Sequence, residues 1–294
     1  MTLKKEKMDI YEIKGIKDFN LDHIFDCGQC FRWEKEADGS YTGTAHGKMV
    51  NMSFDEEAEC LTIENCSAGV FDEIWSRYLY LECDYGSIKA FLAQSDSVLA
   101  EAIKYGQGIR ILKQDLWETM VSFIISQNNN IPRIKGCIEK LCRGFGEYAG
   151  TYRGKEYYNI PSVEKLASLT AEDLAECRLG YRAAYLVKCA QQVIDYGGIA
   201  KLENDLEEAE NGAEVLQQFT GIGPKVASCI ALFGAAKHDA FPIDVWVKRV
   251  MNRMYGIDEK NVKEMAEYAS AHFQEYGGIA QQYLFYYIRI MENV

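Results

Sequence analysis

The sequence predicts an α+β fold: an N-terminal antiparallel β-rich subdomain followed by an all-helical part that carries a helix-hairpin-helix. Three observations predict it. Short β-rich runs punctuated by turn residues fill residues 9 to about 65, and apolar residues take up helical spacing from about Ala68. Helices then follow one another through short loops. The change of period suggests an N-terminal β-rich subdomain over 1–105 and helical subdomains over 106–294, with the hairpin at about 214–232.

The strands are Tyr41–Ala45, Met49–Phe54 and Cys60–Glu64, separated by Asp38-Gly39, His46-Gly47 and an acidic turn over 55–59. Val70, Ile74, Tyr78 and Leu79 then fall at helical spacing, as do Ile88, Phe91, Leu92, Leu99 and Ile103. A helix over 112–126 presents Leu116, Met120, Phe123 and Ile124 on one face and runs into Gln127-Asn128-Asn129-Asn130. Three asparagines there suit a left-handed cap or an exposed polar tip. Tyr196-Gly-Gly-Ile-Ala200 recurs at Tyr276-Gly-Gly-Ile-Ala280. Both are expected to be helix C-caps whose glycines take positive φ.

At 294 residues, 48% hydrophobic and 26% charged, the chain can bury a large core, which excludes a disordered or low-complexity protein. Its formal charge of -12 should repel a polyanion, so a nucleic-acid partner demands a local basic face. Residues 127–155 offer one: Arg133, Lys135, Lys140, Arg143, Arg153 and Lys155 stand against Glu139 and Glu147 alone. No apolar h-region follows the charged N-terminus, and no apolar run approaches the roughly 20 residues of a membrane span. A cytoplasmic setting with no membrane partner is expected, and ten cysteines are then reduced thiols. Cys27 and Cys30 form a C-x-x-C with no matching second pair, so zinc is not expected.

The informative segment runs from Leu216 to Ile230. Gly221-Ile222-Gly223 reads as a tight hairpin that only glycines allow, and Pro224 opens the next helix where its missing N–H does no harm. Backbone N–H groups at that helix start make a seat for one phosphate. Lys225 lies in the first turn, where the helix dipole opposes an ammonium, so it is either an amine nucleophile or a simple phosphate contact. Asp244, nineteen residues on, occupies the N-cap position of the following helix. A capping carboxylate held rigidly near Lys225 can also move protons and stabilise positive charge on a sugar.

Hairpin, lysine and downstream aspartate together resemble the helix-hairpin-helix DNA glycosylase superfamily, in its bifunctional glycosylase and lyase branch. Four further segments narrow the resemblance to the 8-oxoguanine DNA glycosylase family: Cys27-Gly-Gln-Cys-Phe-Arg-Trp33, Ile125-Ser-Gln-Asn-Asn-Asn-Ile-Pro-Arg133, Leu179-Gly-Tyr-Arg182 and Ala280-Gln-Gln-Tyr-Leu-Phe285. It spans roughly residues 15–290 with the motifs in family order. The resemblance implies that Lys225 attacks C1′ and forms a Schiff base and that Asp244 is the essential carboxylate. It further implies that the Gly28 carbonyl accepts the N7–H that guanine lacks, that Cys229 and Phe285 sandwich the flipped base, and that Gln281 reads its edge. Phe233 would line the pocket wall. Asn128, Arg133 and Arg182 would hold the orphaned cytosine with Tyr181 as wedge, and Gly221, Gly223 and Trp246 would lie on the phosphate side.

The implied partner is double-stranded DNA containing 8-oxoguanine, bound by a monomer, nucleoid-associated if the source is bacterial. No metal or redox cofactor is implied, and a monovalent cation could sit at the hairpin carbonyls near Gln217, Phe219 and Ile222. Two positions depart from the better-known animal members: Trp246 stands where they place a histidine, and Ile288 where they place a carboxylate. Trp246 should therefore pack or stack. Two other readings stay open on the residues alone: a glycosylase for another oxidised or alkylated base, and a non-catalytic DNA-binding module.

Overall fold

The computed structural model describes residues 9–292; the charged stretch 1–8, on which the expectation about secretion partly rests, lies outside the described residues. Strands β1 (Ile10–Lys14), β2 (Trp33–Lys35), β3 (Tyr41–Ala45), β4 (Lys48–Asp55) and β5 (Cys60–Glu64) form one sheet in the order β1-β5-β4-β3-β2. Every neighbouring pair is antiparallel. A short helix α1 (Leu21–Phe25) interrupts the strands. The sheet core is aromatic: Phe25 stacks on Trp33 at 4.1 Å, and Trp33 Nε1 donates to the Tyr78 hydroxyl at 2.8 Å.

Residues 68–78 are helical as expected, but not uniformly. Helices α2 (Ala68–Val70) and α3 (Ser76–Tyr78) flank a π-helical turn, Phe71–Trp75. The wider turn shifts the buried face, so Phe71, Trp75, Tyr78 and Leu79 are inside while Val70 and Ile74 are only half-buried.

The remaining helices are α4 (Tyr85–Ser95), α5 (Ser97–Tyr105), α6 (Leu116–Ser126), α7 (Ile131–Phe145), α8 (Val163–Ala167), α9 (Arg182–Tyr196), α10 (Ile199–Glu208), α11 (Gly212–Leu216), α12 (Pro224–Gly234), α13 (Val245–Tyr255), α14 (Val262–Phe273) and α15 (Gly277–Met291). Short polar side chains start many of them: Asp84, Asp96, Asp115, Asn130, Asn211, Asp244 and Asn261 all accept N–H bonds from the first turns they open. The cap at Asp115 explains why α6 begins at Leu116 and not at 112. Leu112 instead belongs to a connector whose N–H donates to Gln29 Oε1 at 2.9 Å. Residues of α4 and α5 pack into the core of the helical half, α4 against α5 and α5 against α15, and Leu112 packs into the sheet core.

The C-terminal part is mostly, not entirely, helical. Strands β6 (Tyr148–Tyr152) and β7 (Lys155–Tyr158) make a hairpin turned by Arg153 and Gly154, at φ 49° and 83°. This hairpin also corrects the expected basic face. Arg153 pairs with Asp38 at 2.5 Å, Lys155 with Glu34, and Arg143 with Glu139 and Glu156 at 3.2 and 3.5 Å. Half the cations of 127–155 thus fasten the hairpin to α7 and the sheet.

The repeated pentapeptides do different work. Gly197 at φ 114° ends α9 as expected, and the Gly197 and Gly198 N–H groups donate to Ile194 and Val193 carbonyls. Gly277, at φ -49°, instead opens α15, and the Gly278 N–H donates to the His238 carbonyl at 2.7 Å. A Cβ on Gly278 would lie 2.3 Å from Leu232 Cδ1 and 2.8 Å from the Ala240 carbonyl oxygen. Here glycine serves close approach: it docks the start of α15 against α12.

Candidate active site

Helix α12 presents Lys225, Cys229 and Phe233 on one face, each a turn apart. Its N-cap, Gly223, offers no side-chain acceptor, so the first-turn N–H groups stay available. Gly221 needs its freedom, at φ 85° and with Tyr185 2.9 Å from where a Cβ would go; Gly223 does not, being extended at φ -87° with open space there. The expectation that both hairpin glycines are conformationally required therefore holds for one.

Facing α12, helix α15 presents Gln281, Phe285 and Arg289 at the same spacing. Asp244, at the start of α13, accepts from the Trp246 and Val247 N–H groups at 2.9 and 2.8 Å through one oxygen, Oδ1. These elements and the loop at Gly28 enclose a cavity of about 50 Å³ lined by Gly28, Lys225, Cys229, Phe233, Asp244, Gln281 and Phe285. All seven residues expected at the nucleophile and base pocket therefore share one cavity.

Burial raises the Asp244 carboxyl above its ordinary range, against the opposing pull of the Val247 N–H and the Lys225 charge. Burial likewise raises the Cys229 thiol, so it offers sulfur as a polarizable surface, not as a thiolate. The Lys225 ammonium nitrogen stands 5.5 Å from the Phe123 ring centroid, and Phe123 stacks on Phe233 at 5.5 Å. Gln281 is 4% exposed, and its Oε1 has no hydrogen-bond partner. A buried amide oxygen left bare costs on the order of 1–3 kcal/mol, which a ligand donor would recover. The cavity is far below the roughly 300 Å³ of small-ligand sites. Phe285, whose Cε1 would lie 3.1 Å from a Cβ on Gly28, closes it.

A second group gathers at the loop after α6. Asn128 is exposed at φ 46°, Asn129 caps the Ile125 carbonyl, and Asn130 caps α7 through the Arg133 N–H. Tyr181 is 48% exposed, within 3.4 Å of Asn128 Nδ2. Arg133 is exposed and carries no ion pair among the described residues. Arg182 joins this group, against the Tyr181 ring at 4.6 Å, but from beneath. It is 4% exposed, with Nε on the Gln127 carbonyl at 2.9 Å, Nη2 on that of Asn128 at 3.1 Å and Nη1 on that of Leu179 at 3.2 Å. Its donors hold the asparagine loop from behind. Gln127 Nε2 donates to the Gly221 carbonyl at 2.9 Å, joining this loop to the hairpin.

Trp246 lies outside the cavity lining and stacks beneath the Arg249 guanidinium at 4.6 Å, while Arg249 pairs with Glu292 at 2.8 Å. Ile288 is fully buried. Sequence reasoning missed Phe123, Pro242, Gln282 and Arg289. Gln282 and Arg289 had signals, the first beside Gln281 in the Ala280–Phe285 segment and the second one helical turn beyond Phe285.

An amine and a carboxylate line one cleft beside an uncapped helix start, the arrangement of a helix-hairpin-helix protein. Family models agree: "8-oxoguanine DNA glycosylase, N-terminal domain" matches residues 13–120, and "HhH-GPD superfamily base excision DNA repair protein" matches residues 121–275. The yeast Saccharomyces cerevisiae N-glycosylase/DNA lyase is 32% identical over 271 residues, covering 83% of this chain and 71% of that one. The solved structure of MBOgg1 in complex with a low-affinity DNA ligand is 43% identical at a TM-score of 0.91, covering 98% of this chain and 100% of that one. Clostridium acetobutylicum 8-oxoguanine glycosylase/lyase, solved with double-stranded DNA containing cytosine opposite 8-oxoG, is 37% identical at a TM-score of 0.90, covering 98% and 99%. The chain belongs to the 8-oxoguanine DNA glycosylase family of the helix-hairpin-helix superfamily.

Proposed function

We propose that this protein excises 8-oxoguanine from duplex DNA and then cleaves the strand, with Lys225 as nucleophile and Asp244 as the carboxylate that steadies the sugar. The observation that carries the reading is the cavity in which a lysine, a half-buried carboxylate and an unpartnered glutamine meet. The base leaves the stack at a cost of a few kcal/mol, offset by stacking on Phe285 and Cys229 and by hydrogen bonds at Gln281 and Gly28. The Lys225 amine forms a bond to C1′ as the glycosidic bond breaks, and the bonding pair leaves with the base, which takes up a proton. Asp244 faces the positive charge that develops on the sugar and can accept the proton the amine releases. The sugar ring then opens to an imine, the C2′ proton becomes acidic, and the 3′ phosphate departs by β-elimination. Water finally hydrolyses the imine.

The steps balance with the chain's own residues and water. At the hairpin, the Gln217 and Ile222 carbonyls have no donor among the described residues, and that of Phe219 accepts from Ile222 at 3.1 Å. Neutral carbonyl oxygens of this kind suit a monovalent cation, which would link them to a DNA phosphate. Tyr181 is the wedge, and Asn128 and Arg133 meet the orphaned cytosine, with Arg182 acting through the loop it holds. Among the described residues no helix is long and apolar enough to cross a membrane.

Incubation with an 8-oxoguanine·cytosine duplex and borohydride tests the reading. The wild type should be trapped covalently and Lys225→Gln should not. Equal trapping of the variant would remove Lys225 from its role.

A further inference from the structure

The loop that carries Gly28 is pinned by side chains from distant parts of the chain. Arg289 Nη1 donates to the Asp26 carbonyl at 3.3 Å, Gln282 Nε2 to that of Cys27 at 2.6 Å, and Gln114 Nε2 to that of Gln29 at 2.8 Å. Among the described residues, the Gly28 carbonyl accepts from none. Of four consecutive carbonyls, one is left free, and it belongs to the residue that lines the cavity.

Peptide units are planar and stiff, so holding the Cys27 and Gln29 carbonyls fixes the planes on either side of the Gly28 unit. The Gln29 side chain tightens the frame: it donates to the Ile24 and Arg110 carbonyls at 2.9 and 2.8 Å and accepts from the Leu112 N–H at 2.9 Å. Gln114 also donates its own N–H to the Phe233 carbonyl at 2.9 Å. The loop is thereby registered against α12, the helix that carries Lys225.

We propose that Gln282 and Gln114 are positioning residues for lesion discrimination: they hold the Gly28 carbonyl still, so that it welcomes an N–H and repels a lone pair. The inference rests on the proposed 8-oxoguanine activity. A carbonyl free to rotate could turn away from the N7 lone pair of guanine and lose the repulsive half of the selection; a fixed one cannot. Both supports are neutral amides.

The test uses the full chain with Gln282→Met and Gln114→Met, which keep side-chain length and remove the donor. Binding to 8-oxoguanine and guanine duplexes is compared in a Lys225→Gln background. Cleavage of a duplex holding an abasic site, which has no base to read, is followed with Lys225 intact. The lesion-to-guanine affinity ratio should fall roughly tenfold in each variant, the worth of one net hydrogen bond, while abasic-site cleavage by Gln114→Met, which lies outside the cavity lining, keeps its wild-type rate. Thermal melts establish that each variant is folded, and Gln114→Met, at a half-buried position, carries the test if Gln282→Met does not fold. An unchanged ratio in a folded variant overturns the inference, and so does abasic cleavage by Gln114→Met that falls in step with the ratio. A wild type that leaves 8-oxoguanine uncut overturns the proposed function itself, a different result.

Discussion

Asp244 joins two demands in one carboxylate. Its Oδ1 caps α13, and burial holds the group above its ordinary value of 3.8. A group that ionises less readily in the native than in the unfolded chain lends stability while protonated and withdraws it as pH rises through its native pKa. Asp244→Asn keeps a cap and removes that charge. The variant should therefore melt at or above the wild-type temperature at pH 7, with the difference shrinking as pH falls toward 4. Excision should drop by at least about 10²-fold, the usual reach of acid–base and electrostatic roles. Melting curves and single-turnover rates across that range decide the matter; a lower melting temperature with only proportionate loss of activity would leave Asp244 a cap and no more. Lys225 and Asp244 were legible in sequence because local rules place them, a first-turn lysine after a glycine hairpin and an aspartate before an apolar helix. Arg182 was not, because the carbonyls that bury it come from a loop about 55 residues earlier in the chain.

Elements show the same division. The five-stranded sheet and the helices announce themselves by period, but the π-helical turn at Phe71–Trp75 and the hairpin at 148–158 do not. The first needs an inserted residue that leaves no local mark; the second was masked by reading its lysines and arginines as a free basic stretch. The two Tyr-Gly-Gly-Ile-Ala copies make the limit plain, since identical residues end α9 and begin α15. What separates them is Leu232, Ala240 and Asp239, which crowd only the second. Gly278→Ala should thus press α15 off α12, costing about 1–3 kcal/mol by overpacking and misplacing Gln281 and Phe285 relative to Lys225. Gly197→Ala should cost comparable stability through strain at φ 114° yet leave excision per folded molecule intact. Rates normalised to the folded fraction separate the two, and equal rates in both variants would deny that α15 docking sets the pocket.

For the whole molecule the question is how a chain of charge -12 holds a polyanion. Arg143, Arg153, Lys155 and Arg249 are each paired with carboxylates of the chain itself. Near the cavity, the uncapped start of α12, Arg133 and Lys248 carry no ion pair among the described residues and are the candidate DNA anchor. Lys248 lies one turn past Asp244, on the same helical face as the carboxylate. Each phosphate neutralised contributes about -0.9 to the slope of log affinity against log salt. With two such side chains and one helix start as the anchor, the slope on lesion duplex should correspond to roughly two to four phosphates, about -2 to -4. Lys248→Ala should make it shallower by about 0.9, whereas Arg153→Ala should leave it unchanged and loosen the hairpin from the sheet. A wild-type slope near -6 would mean that the paired cations leave their carboxylates for DNA. A slope near zero would mean that affinity resides in the base pocket and that the helix start is no anchor.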